Sequence, residues 1–157
     1  MPRTRREKKT PHLAVFYLSV FLVVAIDQLT KFLALNFLSP NDSIPVIAGI
    51  FHLTLVRNTG IAFGLFRDHP SLLLALITLS LAALFILGAR AGKISLAPRA
   101  ALVLIIGGAL GNWIDRLRFG SVVDFLDFRI WPVFNFADSA ITVGVAIYLL
   151  IFFKRKL

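Results

Sequence analysis

Four long apolar runs, three of them carrying carboxylates, constrain this chain more than any other feature. The first is Ala14–Leu38, broken by Asp27 and Lys31. The second is Ser71–Ala89, which has no charge. The third is Ala100–Phe119, charge-free only as far as Ile114. The fourth is Phe134–Phe153, with Asp138 near its start. A spanning helix needs about 20 mostly apolar residues. The third and fourth runs reach that length only if their carboxylates lie inside or at the edge of the bilayer. Composition agrees, with 58% hydrophobic residues, 16% charged residues and a mean hydropathy of +0.84. Soluble domains average about 45–50% apolar and about 25% charged. The expected fold is a membrane all-α bundle of four transmembrane helices. It forms a single integral domain over residues 1–157, with spans near 14–38, 71–89, 100–119 and 134–153. A small β-rich platform is expected between the first and second helix, in the outer loop 39–70, because Phe51, Leu53 and Leu55 alternate with polar residues between turns at Gly49 and Asn58-Thr59-Gly60. Ile61–Phe66, apolar and aromatic, is expected to lie in the interface.

Orientation follows from the bases. Eleven of the seventeen Lys and Arg fall at the N-terminus (Arg3, Arg5, Arg6, Lys8, Lys9), between the second and third runs (Arg90, Lys93, Arg99) and at the C-terminus (Lys154, Arg155, Lys156). Four spans with both termini inside satisfy the positive-inside rule. The first run also resembles the core of a cleavable signal peptide, but no A-x-A-like site follows it, and a retained span is the better reading. With this orientation and a 1.5 Å rise per residue, Asp27, Lys31, Asn112, Asp115, Arg116 and Asp138 all fall in the outer half of the bilayer, beside the outer-loop Asp124. Ionisable groups at such depth are costly and suggest function by default. Asp27 and Lys31 share one helix face, as do Asn112, Asp115 and Arg116. Gly107 and Gly111 match the GxxxG spacing that permits close helix approach.

The chain has no cysteine, which excludes thiol, disulfide and iron–sulfur chemistry. His12, His52 and His69 lack metal-ligand spacing, so neither a metal nor a cofactor is expected. Seven of the eight acids are Asp. Two of them, Asp124 and Asp138, sit where burial and like-charge repulsion would make a pair share one proton. One could then activate water while the other protonates a scissile carbonyl, the chemistry of an aspartic peptidase.

The segments Asp27-Gln28-Leu29-Thr30-Lys31, Asn58-Thr59-Gly60-Ile61-Ala62-Phe63-Gly64, Gly107–Arg116, Val122-Val123-Asp124-Phe125 and Phe134-Asn135-Phe136-Ala137-Asp138-Ser139 together resemble the motif series of bacterial lipoprotein signal peptidase, signal peptidase II. All five occur in order, and the resemblance covers residues 14–153. The segment between Asp124 and Asp138 looks compact for that family. The resemblance implies a bacterial inner (cytoplasmic) membrane endopeptidase with its active site near the periplasmic face. It would cleave prolipoproteins before a diacylglyceryl-modified cysteine. Asp124 and Asp138 would be catalytic. Asn58, Gly60, Asn112, Arg116 and Asn135 would hold substrate and dyad, with Asp27, Lys31, Asp115 and Ala137 in support. The implied partners are the prolipoprotein substrate, membrane lipid and globomycin-type inhibitors, with no nucleic acid. A monomer is expected, since the site is complete within one chain.

Plainer readings exist for several residues. Asp27 and Lys31 read equally well as a structural ion pair. Asp138-Ser139 could be only a helix N-cap. Asp127 and Arg129 read as a solvated loop, and Asp42 and Asp68 as loop or cap residues. Trp113, Trp131 and Tyr148 read as interface anchors or packing. A proton-coupled transporter is the competing function. It would need polar groups across the full bilayer thickness, whereas here the inner half of each span is apolar.

Overall fold

The structure is a computed structural model that describes residues 10–40, 42–60, 66, 68–89 and 95–154. Within it run α1 (Thr10–Phe37), β1 (Ser43–Ile47), β2 (Phe51–Asn58), α2 (Pro70–Gly88), α3 (Leu96–Phe119), β3 (Val122–Asp127) and α4 (Phe136–Lys154). All four helices are long and apolar enough to cross a membrane. Each has exposed apolar side chains, such as Phe32, Leu79, Leu117 and Leu150, as lipid-facing helices must. Most of the basic clusters that set the expected orientation (Arg3 to Lys9, Arg90, Lys93, Arg155 and Lys156) lie outside the described residues, as do Ile61–Leu65 of the expected interfacial segment.

Helices associate here through small residues. A side chain carbon on Gly107 would sit 2.6 Å from Val23 of α1. One on Gly111 would strike the Asp27 carboxylate, and one on Gly108 would strike the Ala137 carbonyl of α4. Successive glycines of α3 thus bring two different helices against one backbone, the close packing that stabilises helices in lipid. Away from the sheet, Phe16, Val20, Leu102 and Ile106 form the core between α1 and α3.

The β-rich platform is a three-stranded antiparallel sheet in the order β1-β2-β3. It differs from expectation in one respect. Only β1 and β2 come from the connection between the first two helices, and β3 is supplied by the segment after α3. That segment turns sharply because α3 ends on Gly120, a left-handed cap at φ 68° whose N–H donates to the Arg116 carbonyl. An irregularity between Leu53 and Val56 sets two residues of β2, Thr54 and Leu55, against one of β3, Phe125. Such bulges re-aim side chains. Leu53 and Leu55 pack with Ala34, Leu38 and Phe125 against α1, while Val56 pairs with Asp124.

Candidate active site

The start of α4 organises the polar centre. Asn135 precedes the helix, and its Oδ1 accepts from the Asp138 N–H at 2.9 Å. The Asp138 carboxylate accepts in return from the Asn135 N–H at 3.2 Å. This is a reciprocal capping box, so the N-cap reading of this segment describes part of what Asp138 does. The Ala137 N–H, also without a partner within its own helix, donates to Asp27 Oδ1 on α1 at 3.0 Å. Ala137 therefore contributes through its backbone and its small size.

The other oxygen of Asp138 faces a network of amides. Asn112 Nδ2 donates to Asp138 Oδ1 at 2.8 Å. Asn135 Nδ2 donates to Asp124 Oδ1 at 2.7 Å and to Asn112 Oδ1 at 3.1 Å. Asn58 Nδ2 donates to the second Asp124 oxygen at 3.0 Å. Each carboxylate thus receives neutral amide donors, and neither forms an ion pair with a cation among the described residues. Both line one cavity of about 610 Å³, with Asn58, Gly60, Asn112 and Arg116 among its walls and Trp131–Phe134 along one side. Burial pushes the Asp124 carboxyl up to about 7, and the nearby charge of Asp138 adds to this; the donors from Asn58 and Asn135 oppose it. Arg116 reaches across the cavity. Its Nη2 donates to the Gly60 carbonyl at 2.7 Å, and its buried Nε has no partner among the described residues.

Asp27, Lys31 and Asp115 are gathered beside this cavity but do not line it. Lys31 Nζ lies 2.9 Å from Asp27 and 3.0 Å from Asp115, and all three are buried. Its third hydrogen bond, 2.8 Å to Asn112 Oδ1, turns the Asn112 amide so that its NH2 points at Asp138. Asp115 also accepts from the Val123 N–H at 3.0 Å, which fixes β3 to the end of α3. The Asp27–Lys31 pair is thus an ion pair within a larger cluster. Asp115 and Arg116, adjacent in sequence, find separate partners, as expected of neighbours on a helix.

The family model for Signal peptidase (SPase) II matches residues 19–154. The chain belongs to the signal peptidase II family. A lipoprotein signal peptidase of Moorella thermoacetica is 52% identical over 134 residues, covering 84% of this chain and 88% of the relative. One from Halothermothrix orenii is 42% identical over 143 residues, covering 89% and 96% respectively. A bacterial membrane enzyme solved at 2.3 Å by the in meso method superposes with a TM-score of 0.83 at 32% identity, covering 91% of this chain and 90% of the other. Membership of the signal peptidase II family makes the chain a peptidase, and its four apolar helices make it a multi-pass membrane protein.

Two features of this signal peptidase II family member differ from the sequence reading or were not in it. Asp127 is not on a solvated loop: it is buried at the end of β3 and accepts from Thr54 Oγ1 at 2.8 Å and from the Arg129 N–H at 2.8 Å. Arg129 stays half exposed and pairs with it at 3.1 Å. Gln28 was not singled out, yet its Nε2 bonds Asp115 at 3.0 Å, Asp27 at 3.2 Å and the Gly111 carbonyl at 3.3 Å. An uncharged amide next to an intramembrane Asp was the available signal. Trp113 acts as packing: its Nε1 donates to Thr78 of α2 at 2.9 Å.

Proposed function

We propose that this chain is an aspartic endopeptidase that removes the signal peptide from prolipoproteins, cutting on the N-terminal side of a diacylglyceryl-modified cysteine. One observation carries the reading: Asp124 and Asp138 share a cavity and a set of amide donors, and among the described residues no cation pairs with either carboxylate directly. The substrate class is that of the family's lipoprotein signal peptidases.

The pair holds one proton between two carboxylates. Asp138 lies in the first turn of α4, where the helix dipole favours a negative charge. It acts as base. Asp124, with its affinity for protons raised to near neutrality, holds the shared proton and acts as acid. Asp138 takes a proton from water as the water oxygen attacks the scissile carbonyl carbon. Asp124 gives its proton to the carbonyl oxygen, which leaves a neutral gem-diol. Collapse returns a diol proton to Asp124 and passes the proton on Asp138 to the departing nitrogen. The C–N bond breaks, and the pair again holds one proton. Asn58 and Asn135 orient Asp124, while Asn112 orients Asp138. Arg116 and Gly60 line the path of the substrate backbone. The ion-paired trio behind them holds the starts of α4 and β3 in place. Globomycin-type cyclic peptides would compete for the same cavity. The protein acts as a monomer in the inner membrane, with both termini cytoplasmic and the sheet outside.

The test is cleavage of a diacylglyceryl-modified prolipoprotein peptide by purified protein in lipid, with chelator present. Asp124→Asn and Asp138→Asn should each lose at least about a hundredfold, the scale of acid–base groups. Wild-type inactivity, or near-full activity in both variants, would overturn the assignment. Reporter fusions at each terminus test the orientation, and cytoplasmic readout from both is expected.

A further inference from the structure

A second site lies where β2 meets the ends of α1 and α3, on the far side of Val56 from the carboxylates. A cavity of about 410 Å³ opens there between Leu35, Leu38 and Pro40 at the end of α1 and Leu55, Val56 and Arg57 of β2. Except for Arg57 its wall side chains are apolar. The Arg57 guanidinium stacks over the Phe119 ring, 4.9 Å from its centre, and the Arg118 guanidinium lies over the same ring at 5.0 Å. The two cations are therefore no more than about 10 Å apart. All seven Asp lie among the described residues, and none forms an ion pair with either arginine. Among the described residues, the hydrogen bond of Arg118 goes to the neutral Gln28 Oε1, at 3.5 Å.

Two exposed guanidiniums held together on one aromatic ring repel each other, and cation–π contact does not neutralise them. An anion drawn to both would. Guanidinium forks match phosphate oxygens, and the adjoining cavity suits a hydrocarbon chain. The site also lies at the ends of membrane-spanning helices, where headgroup and acyl region meet. We infer that Arg57 and Arg118 clamp the headgroup phosphate of one anionic phospholipid, whose acyl chain enters the cavity beside Leu35, Leu38 and Leu55. A diacylglyceryl group on a cysteine carries no charge, so the arginines favour a membrane phospholipid over the lipid of a substrate. The inference does not depend on how Asp124 and Asp138 act.

Native mass spectrometry of the purified full chain, titrated with phosphatidylglycerol, phosphatidylcholine or glycerol phosphate, tests this. Wild type should retain one phosphatidylglycerol in preference to phosphatidylcholine by about thirtyfold, the scale of two basic residues at a membrane surface. Arg57→Gln and Arg118→Gln should each lose about fivefold of that preference, and the double variant nearly all of it. Lys154→Gln, at the opposite end of the bundle, should keep it. Equal retention of the two lipids by wild type would overturn the inference, even if a variant failed to fold. So would wild-type preference in the double variant. Competition by glycerol phosphate as strong as by phosphatidylglycerol would assign the arginines to a soluble phosphate and overturn the lipid site.

Discussion

The bundle carries two pairs of aspartates, three of the four buried and Asp138 partly so, that differ in their partners. Asp27 and Asp115 share one ammonium, Lys31, and also accept from the Gln28 amide and from the Ala137 and Val123 backbone N–H groups. Asp124 and Asp138 receive amides only and look into a cavity. The first pair is buried around one shared ammonium and does not line the cavity, so it holds helices together. The second is left short of positive charge, so its protonation stays sensitive to its surroundings. Identical side chains a few ångströms apart thus divide into a structural set and a chemically available set. The cation decides which is which, and Asn112 joins them by bonding Lys31 on one side and Asp138 on the other.

Exchanging the roles should separate activity from stability. The largest effect falls on catalysis. Asp138→Asn should lower peptide cleavage by about 10²–10⁴-fold while shifting the unfolding midpoint less than Lys31→Met, because Asn has the same size and its oxygen keeps one of the two contacts that Asp138 accepts. Lys31→Met should do the reverse in emphasis. It strands two buried carboxylates, and losing one member of a buried ionic cluster costs about 3–5 kcal/mol. Denaturant unfolding in mixed micelles would read this, and unchanged stability would mean that the cluster is dispensable to the fold.

A smaller effect tests the packing that brings the two sets together. Gly111→Ala places a methyl group against the Asp27 carboxylate and should push α1 from α3, at about 1–3 kcal/mol. The GxxxG spacing made that close approach readable in the sequence, although not which helix it serves. The four helices were readable because apolar length is a local property. So was the polar set, because a charge inside such a run stands out. The third strand was not, since β2 and β3 pair across more than sixty residues and nothing in Val122–Asp127 names its partner. Asp127 read as solvated beside the charged Arg129, which it does pair with, but its other partner, Thr54, lies far off in sequence on β2. The attachment of Asp27 to Ala137 was hidden for another reason: its donor is a backbone group, which side-chain patterns do not reveal.

The pH profile sharpens the contrast further. A carboxyl raised to about 7 keeps its proton below that value and loses it above. The pair then carries two negative charges and no acid. The alkaline limb of kcat/KM should therefore fall with an apparent value near 7, by about tenfold for each further pH unit once well past it. That value belongs to the pair. Asn58→Ala removes a donor that favours the charged form of Asp124, so its alkaline limb should move to higher pH. A limb that stays in place would mean that another group controls the loss of activity.

The smallest effect is expected at the third ion pair, on the sheet. Asp127 is buried like the others, but its cation is not: the Arg129 side chain is 49% exposed. Although burial acts to raise the Asp127 carboxyl, the Arg129 N–H, the Thr54 hydroxyl and the Arg129 guanidinium together hold it below its ordinary value. Its contribution to stability is therefore present above the ordinary carboxylate range and lost as pH falls through the lowered value. Arg129→Gln removes only the solvent-screened part and should cost no more than about 1 kcal/mol near neutral pH, read as a small shift in the unfolding midpoint with cleavage retained. The backbone N–H and the Thr54 hydroxyl still satisfy Asp127 in that variant. Lys31→Met leaves Asp27 and Asp115 without their shared cation. If both substitutions cost the same, burial of the cation is not what separates the sealed cluster from the exposed pair.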